Sequence, residues 1–222
     1  MTSFALVTEG ETDQVVLENI IQTIYLDAID EEVDIRPVQP LYDETSKSRR
    51  EIFGGWEQAL EFCASKDRLL EALSTNDFLV IHLDSDICSD DKINIPFVTP
   101  EGHKSTPQII EDMKSLISSR IPIEVYEEHR SKIIFAIAVH STECWLLPLH
   151  ARRDGDKSQM VNCENRLRRA LAEHKVKYVK DARSYEDFSR AFRKINNIHS
   201  AQAHCESLDD FINTLQALIQ AR

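Results

Sequence analysis

The sequence predicts an α/β fold in which helices cover both faces of a mainly parallel sheet, followed by a helical C-terminal region. Two observations predict it. Short apolar segments alternate with segments of helical periodicity as far as residue 150, and beyond that residue only helical patterns recur. We therefore expect a body formed by residues 1–150 and a basic helical region, residues 151–222, that packs on it.

The first elements follow from local patterns near the N-terminus. Phe4–Val7 is a short apolar run that ends in a turn at Gly10, so it predicts a strand. Thr12 can cap the next helix, whose apolar residues recur at helical spacing. A second, weaker strand is predicted over Val33–Val38.

The middle of the body contains the most strongly apolar strand. Residues 42–55 are polar and predict a loop, and a helix is predicted from Trp56 to Leu73. Phe78–Leu83 is then uniformly apolar apart from one histidine, which predicts a buried strand. Residues 87–105 have no clear period and are expected to be irregular.

The remaining elements have recognisable helix starts. Thr106 and Pro107 open a predicted helix, because Pro is favoured at the first helical position. Ile133–Val139 predicts the last strand of the body. In the C-terminal region, Ser184 and Ser207 each precede an acidic residue by three positions, as in a capping box.

The 222-residue chain has a formal net charge of -12, but the charge is unevenly distributed. Residues 1–150 contain 12 lysines and arginines against 28 acidic residues, a balance of -16, whereas residues 151–195 contain 13 against 7, a balance of +6. This distribution predicts cations on the body and a polyanion on the basic stretch. Arg166, Arg168 and Arg169 are candidate nucleic-acid contacts, with a solvated helix face as the alternative.

The composition excludes several classes of protein. A hydrophobic content of 42% predicts a packed core, not a disordered chain. No apolar run approaches the roughly 20 residues that cross a bilayer, and the N-terminus lacks the basic segment of a secretory signal. The five cysteines are odd in number and scattered, which favours a reducing cytoplasm over a disulfide framework. We expect a cytoplasmic protein with no membrane partner.

Acidic residues follow three of the predicted strands. Glu9 and Asp13 follow the first, Asp84 and Asp86 follow the buried central one, and Glu143 follows the last. The carboxyl ends of parallel strands meet at one edge of the sheet, so we expect these side chains to converge. Clustered carboxylates repel each other unless a cation lies between them. The cluster therefore predicts a site for Mg²⁺ or Mn²⁺, which prefer oxygen ligands.

The spacing of the acids predicts two ions. Asp84 and Asp86 can both turn toward one ion, and Glu9 and Asp13, four positions apart, can face a second ion near a helix N-terminus. Paired ions about 3.5–4 Å apart clamp the attacking and leaving oxygens of a phosphodiester. For any one of these acids alone, the alternative is a helix cap or a solvated turn.

These motifs resemble the Toprim domain, which is shared by topoisomerases, bacterial primases and overcoming-lysogenization-defect (OLD) nucleases. The topoisomerase and primase pattern pairs one Glu with a DxD motif, and Glu9, Asp84 and Asp86 match it in the expected strand context. The resemblance covers residues 3–150. It implies a Rossmann-like Toprim sheet with a catalytic metal site.

The OLD-type pattern extends the resemblance. It adds an acid four residues after the Glu, matched by Asp13, and a Ser-x-Glu after a later strand, matched by Ser141 and Glu143. The segment Ser141–Leu147 also resembles a motif of small Toprim-like proteins in which a Glu precedes a Trp-Leu pair. The ligand set that the motifs and the resemblance together imply is Glu9, Asp13, Asp84, Asp86, Ser141 and Glu143.

The resemblance further implies a downstream lysine near the scissile phosphate. The candidates are Lys157, Lys175, Lys180 and Lys194. The residues assigned to catalysis are Glu9, Asp84, Asp86, Glu143 and Lys157.

The sequence therefore predicts a divalent-metal-dependent nuclease that hydrolyses the phosphodiesters of DNA or RNA. OLD nucleases also carry an ATPase domain in the same chain, but this sequence has no G-x-x-x-x-G-K-[ST] loop. The resemblance thus implies a separately encoded ATPase as partner, with the chain acting as the effector of an anti-phage defence system. The alternative is a non-catalytic regulatory or interaction subunit of an ATPase complex.

Overall fold

A parallel sheet organises the molecule. The computed structural model describes residues 1–40 and 55–221, and these residues form a four-stranded sheet in which every neighbouring pair is parallel. The strands are β1 (Ser3–Val7), β2 (Asp34–Gln39), β3 (Phe78–Asp84) and, late in the chain, β6 (Ile133–Ala138). Their order across the sheet is β2-β1-β3-β6. The predicted α/β class and parallel sheet are confirmed, whereas the predicted loop over residues 42–55 lies almost entirely outside the described residues.

The strand register decides which residues share an edge of the sheet. Val7 pairs with Ile81, and Asp84 pairs with Ala138, so the carboxyl ends of β1, β3 and β6 finish close together. These strands are buried on both faces, which explains why their sequences are continuously apolar. The residues that follow β1, β3 and β6 consequently emerge at one edge.

Helices from the first two thirds of the chain flank the sheet. Their bounds are α1 (Glu11–Ile29), α2 (Gly55–Ala64), α3 (Lys66–Thr75), α4 (Thr106–Arg120) and α5 (Ile123–His129). A 3₁₀ helix over Ser85–Ser89 follows β3, and a short antiparallel hairpin joins β4 (Val98–Thr99) to β5 (Gly102–His103). The single helix predicted from Trp56 to Leu73 is thus two helices, and the segment expected to be irregular contains this 3₁₀ turn and hairpin.

The remaining helices follow β6. Their bounds are α6 (Glu143–His150), α7 (Asp154–Lys157), α8 (Cys163–Glu173), α9 (Ala182–Ser189), α10 (Ile195–Gln202) and α11 (Glu206–Gln220). A 3₁₀ turn, Arg190–Arg193, lies between α9 and α10. None of the helices in the described part of the chain is long and apolar enough to cross a membrane.

Several helix starts differ from the predicted ones by a few residues. The cap of α1 is Gly10, not Thr12, and the Asp13 carboxylate accepts a hydrogen bond from the Gly10 N–H at 3.0 Å. Helix α4 is capped by Ser105, with Gln108 completing the box. Helix α9 is capped by Asp181, whose side chain accepts the Ser184 N–H. Only at α9 does a side chain upstream of the predicted cap accept an N–H of the first turn. At α1 and α4 the third helical residue, Asp13 or Gln108, accepts the N–H of the cap residue instead.

Two hydrophobic layers cover the two faces of the sheet. One layer packs helices α2 to α5 on the strands, and includes Leu60, Leu69 and Met113. The other packs α1 together with the helices after β6. It joins Phe4 of β1 to Phe211 of α11 within a single buried cluster. Residues from both sides of position 150 therefore share one core, and the C-terminal helices form one of its two layers.

One disulfide joins two helices of this second layer. Cys144 of α6 is bonded to Cys163 of α8, whereas Cys63, Cys88 and Cys205 are free and buried. The expectation of no disulfide, drawn from the scattered spacing, is wrong for this pair. Because α6 and α8 pack directly against each other, two cysteines 19 positions apart meet.

Candidate metal centre

The site lies at the edge of the sheet where β1, β3 and β6 end. Glu9 follows β1 by two residues, Asp84 is the last residue of β3, and Glu143 is the first residue of α6. The Asp84 N–H donates a hydrogen bond to Glu9 Oε1 at 2.8 Å, which ties two of these strand ends together. The start of α2 closes over this point: a Cβ added at Gly55 would overlap the carbonyl oxygen of Glu9.

A second set of bonds connects β3 to the turn after β6. The His140 N–H donates to Ser85 Oγ at 2.8 Å, and the Asp86 N–H donates to the His140 carbonyl at 3.1 Å. His140 adopts a φ of 65°, a left-handed conformation that L residues seldom take. This turn directs residues 141–143 back toward the acids of the other two strands.

The Thr142 hydroxyl lies at the centre of the cluster. Its oxygen is 3.0 Å from Asp13 Oδ1, 3.1 Å from Asp84 Oδ1 and 3.2 Å from His82 Nε2. A hydroxyl carries one hydrogen, so it can donate to only one of the two carboxylates at a time. The other carboxyl needs a proton of its own, or a cation, to be accommodated at this distance.

Burial of like charges raises the pKa of three of the acids. The pKa of Glu9 is raised to about 8 by burial and then by the charge of Asp13. That of Asp13 is raised to about 6 by burial, although the hydrogen bond from Thr142 opposes the rise. Burial and the neighbouring Glu9 raise the pKa of Asp84 well above its usual range. Without a cation, the cluster holds protons that free carboxylates would have lost.

Glu143 has a different environment. It is 3% exposed, yet Lys180 Nζ lies 3.5 Å from its Oε1, and the hydroxyls of Tyr185 and Tyr178 both donate to that oxygen. Burial would raise the pKa of Glu143, but Lys180 together with hydrogen bonds from Ser141 and Tyr185 lowers it below its ordinary value. Glu143 therefore remains a carboxylate at neutral pH.

The structure distributes the predicted ligands unequally. Glu9, Asp13, Asp84 and Glu143 come together, and Ser141 is half-buried beside them, where it hydrogen-bonds to Glu143. Asp86 lies at the rim as an exposed residue. Partial burial raises its pKa against the opposing charge of Lys180.

The predicted lysine is placed differently. Lys157 pairs with Asp154 of its own short helix, with Nζ 2.9 Å from Oδ1. Lys180, one of the other three candidates, faces the acids instead, and its pKa is raised because the charge of Glu143 outweighs its partial burial. Lys180 therefore replaces Lys157 as the cation of this site.

His82 was not among the predicted site residues. It is fully buried, its ring packs edge-on against Trp145, and burial lowers its pKa to about 3, so it is neutral. His82 and Asp84 are two positions apart on β3, so both side chains lie on one face of the strand, which is a signal that the sequence did contain. Tyr178 and Tyr185 carried no such signal, because tertiary packing alone brings them to Glu143.

The donor set fits a divalent cation. Asp13, His82 and Asp84 can each offer one ligand atom, and these atoms lie within 4.8 Å of one another. Carboxylate oxygens suit Mg²⁺ and Mn²⁺, whereas an imidazole nitrogen is a ligand more typical of Zn²⁺, Fe²⁺ and Ni²⁺. A cation would also remove the need for protons on the buried carboxyls.

The three predicted nucleic-acid contacts divide between two surfaces of α8. Arg168 pairs with Glu164 at 2.8 Å, and its guanidinium lies 5.0 Å from the ring centroid of Tyr178, on the side of the acidic cluster. Arg166 and Arg169 line a separate cavity beside the C-terminal end of α6.

Compared with protein-family models, curated proteins and solved structures, the chain matches none of them.

Proposed function

We propose that this chain is a divalent-metal-dependent nuclease of Toprim type that hydrolyses phosphodiester bonds of DNA or RNA. The observation that carries the proposal is the convergence of Glu9, Asp84 and Glu143 from three strand ends, with Asp13 beside them. The pKa of Glu9, Asp13 and Asp84 is raised by burial and then by repulsion from neighbouring carboxylates, and Lys180 opposes the rise at Glu9 and Asp13 only in part. A cluster of this kind is costly to a fold unless cations compensate it.

Each residue has a role in this proposal. Asp13, Asp84 and His82 would hold one ion, and Glu9, Asp86 and Glu143, whose charges act on one another, would contribute to a second. A bound Mg²⁺ or Mn²⁺ ion supplies Lewis acidity toward a phosphate oxygen and lowers the pKa of water. Among the described residues, Lys180 is the cation positioned to stabilise negative charge that develops on the phosphate.

The protein's own hydrogen bonds keep this arrangement fixed. Tyr185 and Tyr178 hold one oxygen of Glu143, and Thr142 spans Asp13 and Asp84. Carboxylates that are held in place lose less side-chain entropy when an ion binds. The carboxylates are therefore preorganised to bind a cation in one geometry.

The cellular role follows the sequence expectation. We propose a cytoplasmic effector of anti-phage defence that cooperates with a separately encoded ATPase. The acidic balance of -16 over residues 1–150 favours help from a partner, because non-specific affinity for nucleic acid depends on lysine and arginine contacts to phosphate. The same balance favours the second candidate, a non-catalytic subunit of an ATPase complex.

The test is digestion of single-stranded DNA, duplex DNA and RNA with Mg²⁺ or Mn²⁺. We expect Glu9→Gln and Asp84→Asn each to abolish cleavage. Glu32→Gln removes an equal charge from an exposed residue away from the cluster and should cleave like the wild type. Equal activity in all four proteins would exclude the nuclease.

A second measurement separates the two candidate functions. If Mn²⁺ binds the wild type and not the Asp84→Asn variant, but no substrate is cut, the non-catalytic subunit is favoured. Adding the ATPase partner then tests whether activity needs the complex.

A further inference from the structure

A cavity of about 510 Å³ lies between the C-terminal end of α6, the chain that follows it and α8. Four arginines line it: Arg152, Arg153, Arg166 and Arg169. Its floor is apolar and includes Leu147 and Ala151. The volume falls within the range of small-ligand sites, roughly 300–1,000 Å³, and six of the nine lining residues are charged, so the cavity suits a charged ligand.

The positive charge of this cavity is only partly compensated. Two acids, Asp156 and Glu173, also line it, so the balance of its ionisable groups is +2 in a chain whose net charge is -12. Within residues 1–40 and 55–221, Arg152 pairs loosely with Glu173, with 3.4 Å between Nε and Oε2.

In the described part of the chain, the other three arginines have no carboxylate partner. No carboxylate of the described residues lies within 4.0 Å of Arg153, Arg166 or Arg169, and Arg166 uses only its Nε, which donates to the Val161 carbonyl at 3.0 Å. Most of the donors that line the cavity thus remain available. Arginine guanidinium groups present paired N–H donors that match the oxygens of phosphate.

We propose that this cavity is a phosphate-binding site, separate from the acidic cluster. Its ligand is a phosphate group held by Arg153, Arg166 and Arg169. Two kinds of molecule bear such a phosphate group: a nucleic acid, through its backbone, or a small phosphorylated molecule whose apolar part contacts Leu147 and Ala151. The proposal stands whether or not the acidic cluster cleaves nucleic acid.

The cavity and the acidic cluster lie along the same face of α6, at its two ends. Glu143, Leu147 and Ala151 are spaced by four residues along α6 and its C-cap, so they follow one face of the helix. Eight residues of helix span about 12 Å. A strand of nucleic acid advances about 3.4 Å per nucleotide, so a phosphate in the cavity would lie about three to four nucleotides from the acids.

The experiment compares two double variants of equal charge. Arg153→Gln with Arg169→Gln removes two guanidinium groups from the cavity, whereas Arg183→Gln with Arg190→Gln removes two exposed arginines from α9 and the 3₁₀ turn that follows it. Each protein is freed of metal on a chelating resin and examined at low salt. Inorganic phosphate is titrated by calorimetry, and a short fluorescent single-stranded oligonucleotide is titrated by anisotropy. Thermal melting checks that both variants fold.

We expect the wild type and the control variant to bind phosphate alike, and the cavity variant to bind it about tenfold or more weakly, since a hydrogen bond to a charged group is worth about 1.5–3 kcal/mol. If the cavity variant also binds the oligonucleotide less tightly, and phosphate competes with the oligonucleotide, the source is a backbone phosphate. If only phosphate binding falls, the source is a small molecule.

The proposal is overturned if a folded cavity variant binds both probes as the wild type does, or if the wild type binds neither. Because no metal is present and no cleavage is measured, this result is independent of the nuclease test. Loss of cleavage in Asp84→Asn with unchanged phosphate binding would leave the cavity site intact.

Discussion

The acidic edge of the sheet and the basic surface of α8 differ in the environment of their charges: the first buries like charges together, and the second exposes its charges to solvent. At the sheet edge, Asp13 is 6% exposed and shares its surroundings with Asp84 and Glu143, so removal from water raises the pKa of Asp13 to about 6. On α8, the Arg168 side chain is 56% exposed and pairs with Glu164 at the surface. Buried charges of one sign store free energy that a ligand can release, whereas exposed pairs contribute little.

The largest expected effect is stabilisation by metal at the sheet edge. An ion that binds only the folded protein stabilises it by about 2.7 kcal/mol at a hundredfold excess over its dissociation constant. Melting temperature should therefore rise with Mn²⁺, measured by differential scanning fluorimetry. The rise should vanish in Asp84→Asn, Asp86→Asn. Without metal, that double variant should be no less stable than the wild type, because asparagine resembles the protonated acid that the cluster already favours.

The next effect concerns the hydrogen bonds to Glu143. Tyr185→Phe removes a buried donor to a carboxylate, and we expect the free energy of unfolding to fall by about 2 kcal/mol. Tyr126→Phe is the control, since Tyr126 is half-buried and its hydroxyl has no hydrogen-bond partner among the described residues. Urea denaturation measures both. Equal stability of the two variants would mean that the tyrosine hydroxyl does not support Glu143.

Lys180 should matter for chemistry more than for stability. Its side chain is 57% exposed, so Lys180→Gln should change folding little, but we expect cleavage to slow by about tenfold as charge on the phosphate loses its partner. Lys157→Gln is the matched control, because Lys157 pairs with Asp154 instead. Initial rates at saturating Mn²⁺ separate the two lysines. Comparable slowing in both variants would argue against the assignment of Lys180.

The dependence of stability on pH follows from the directions of the pKa shifts. Glu9 and Asp13 have raised pKa values of about 8 and 6, so above about pH 4 the folded protein holds protons that the unfolded chain releases. The contribution of Asp13 to stability falls as pH rises to about 6, and that of Glu9 falls as pH rises to about 8. His82 has its pKa lowered to about 3, so its contribution is lost as pH falls below about 6.5, where the unfolded imidazole takes up a proton.

Above about pH 6.5 the histidine of the unfolded chain is already neutral, so the acids alone set the pH dependence of metal-free protein there. Its melting temperature should fall between pH 6 and 8, and saturating Mn²⁺ should remove that fall. In the absence of metal, Glu9→Gln should reduce this fall in melting temperature. An unchanged slope in this variant would show that the Glu9 carboxyl does not hold a proton there.

The smallest effect is expected at the exposed pair on α8. Arg168→Gln breaks a surface ion pair spaced by four residues, which is worth about 0.3–0.5 kcal/mol. Its melting temperature should be within error of the wild type in low and high salt. A clear loss of stability would mean that the contact with the Tyr178 ring supports the acidic edge more than the ion pair does.

The acids could be anticipated from the sequence because each follows an apolar run, and the ends of parallel strands meet by geometry alone. The same rule could not locate Lys180, Tyr178 and Tyr185. Their position depends on how α8 and α9 pack against the sheet, which no local pattern records. Thr142 was also missed: only the left-handed turn at His140 brings its hydroxyl between two carboxyls.

The turn that carries Thr142 and Glu143 also depends on a contact from α11, made by Ser207. Its Oγ accepts hydrogen bonds from the Trp145 ring N–H at 2.9 Å and the Val139 N–H at 3.3 Å, on either side of the turn that carries Thr142 and Glu143. During synthesis, residues 9 to 143 leave the ribosome well before residue 207 does. The nascent chain therefore carries the acids before the Ser207 contacts that hold the turn exist, and those contacts can form only after residue 207 has been synthesised.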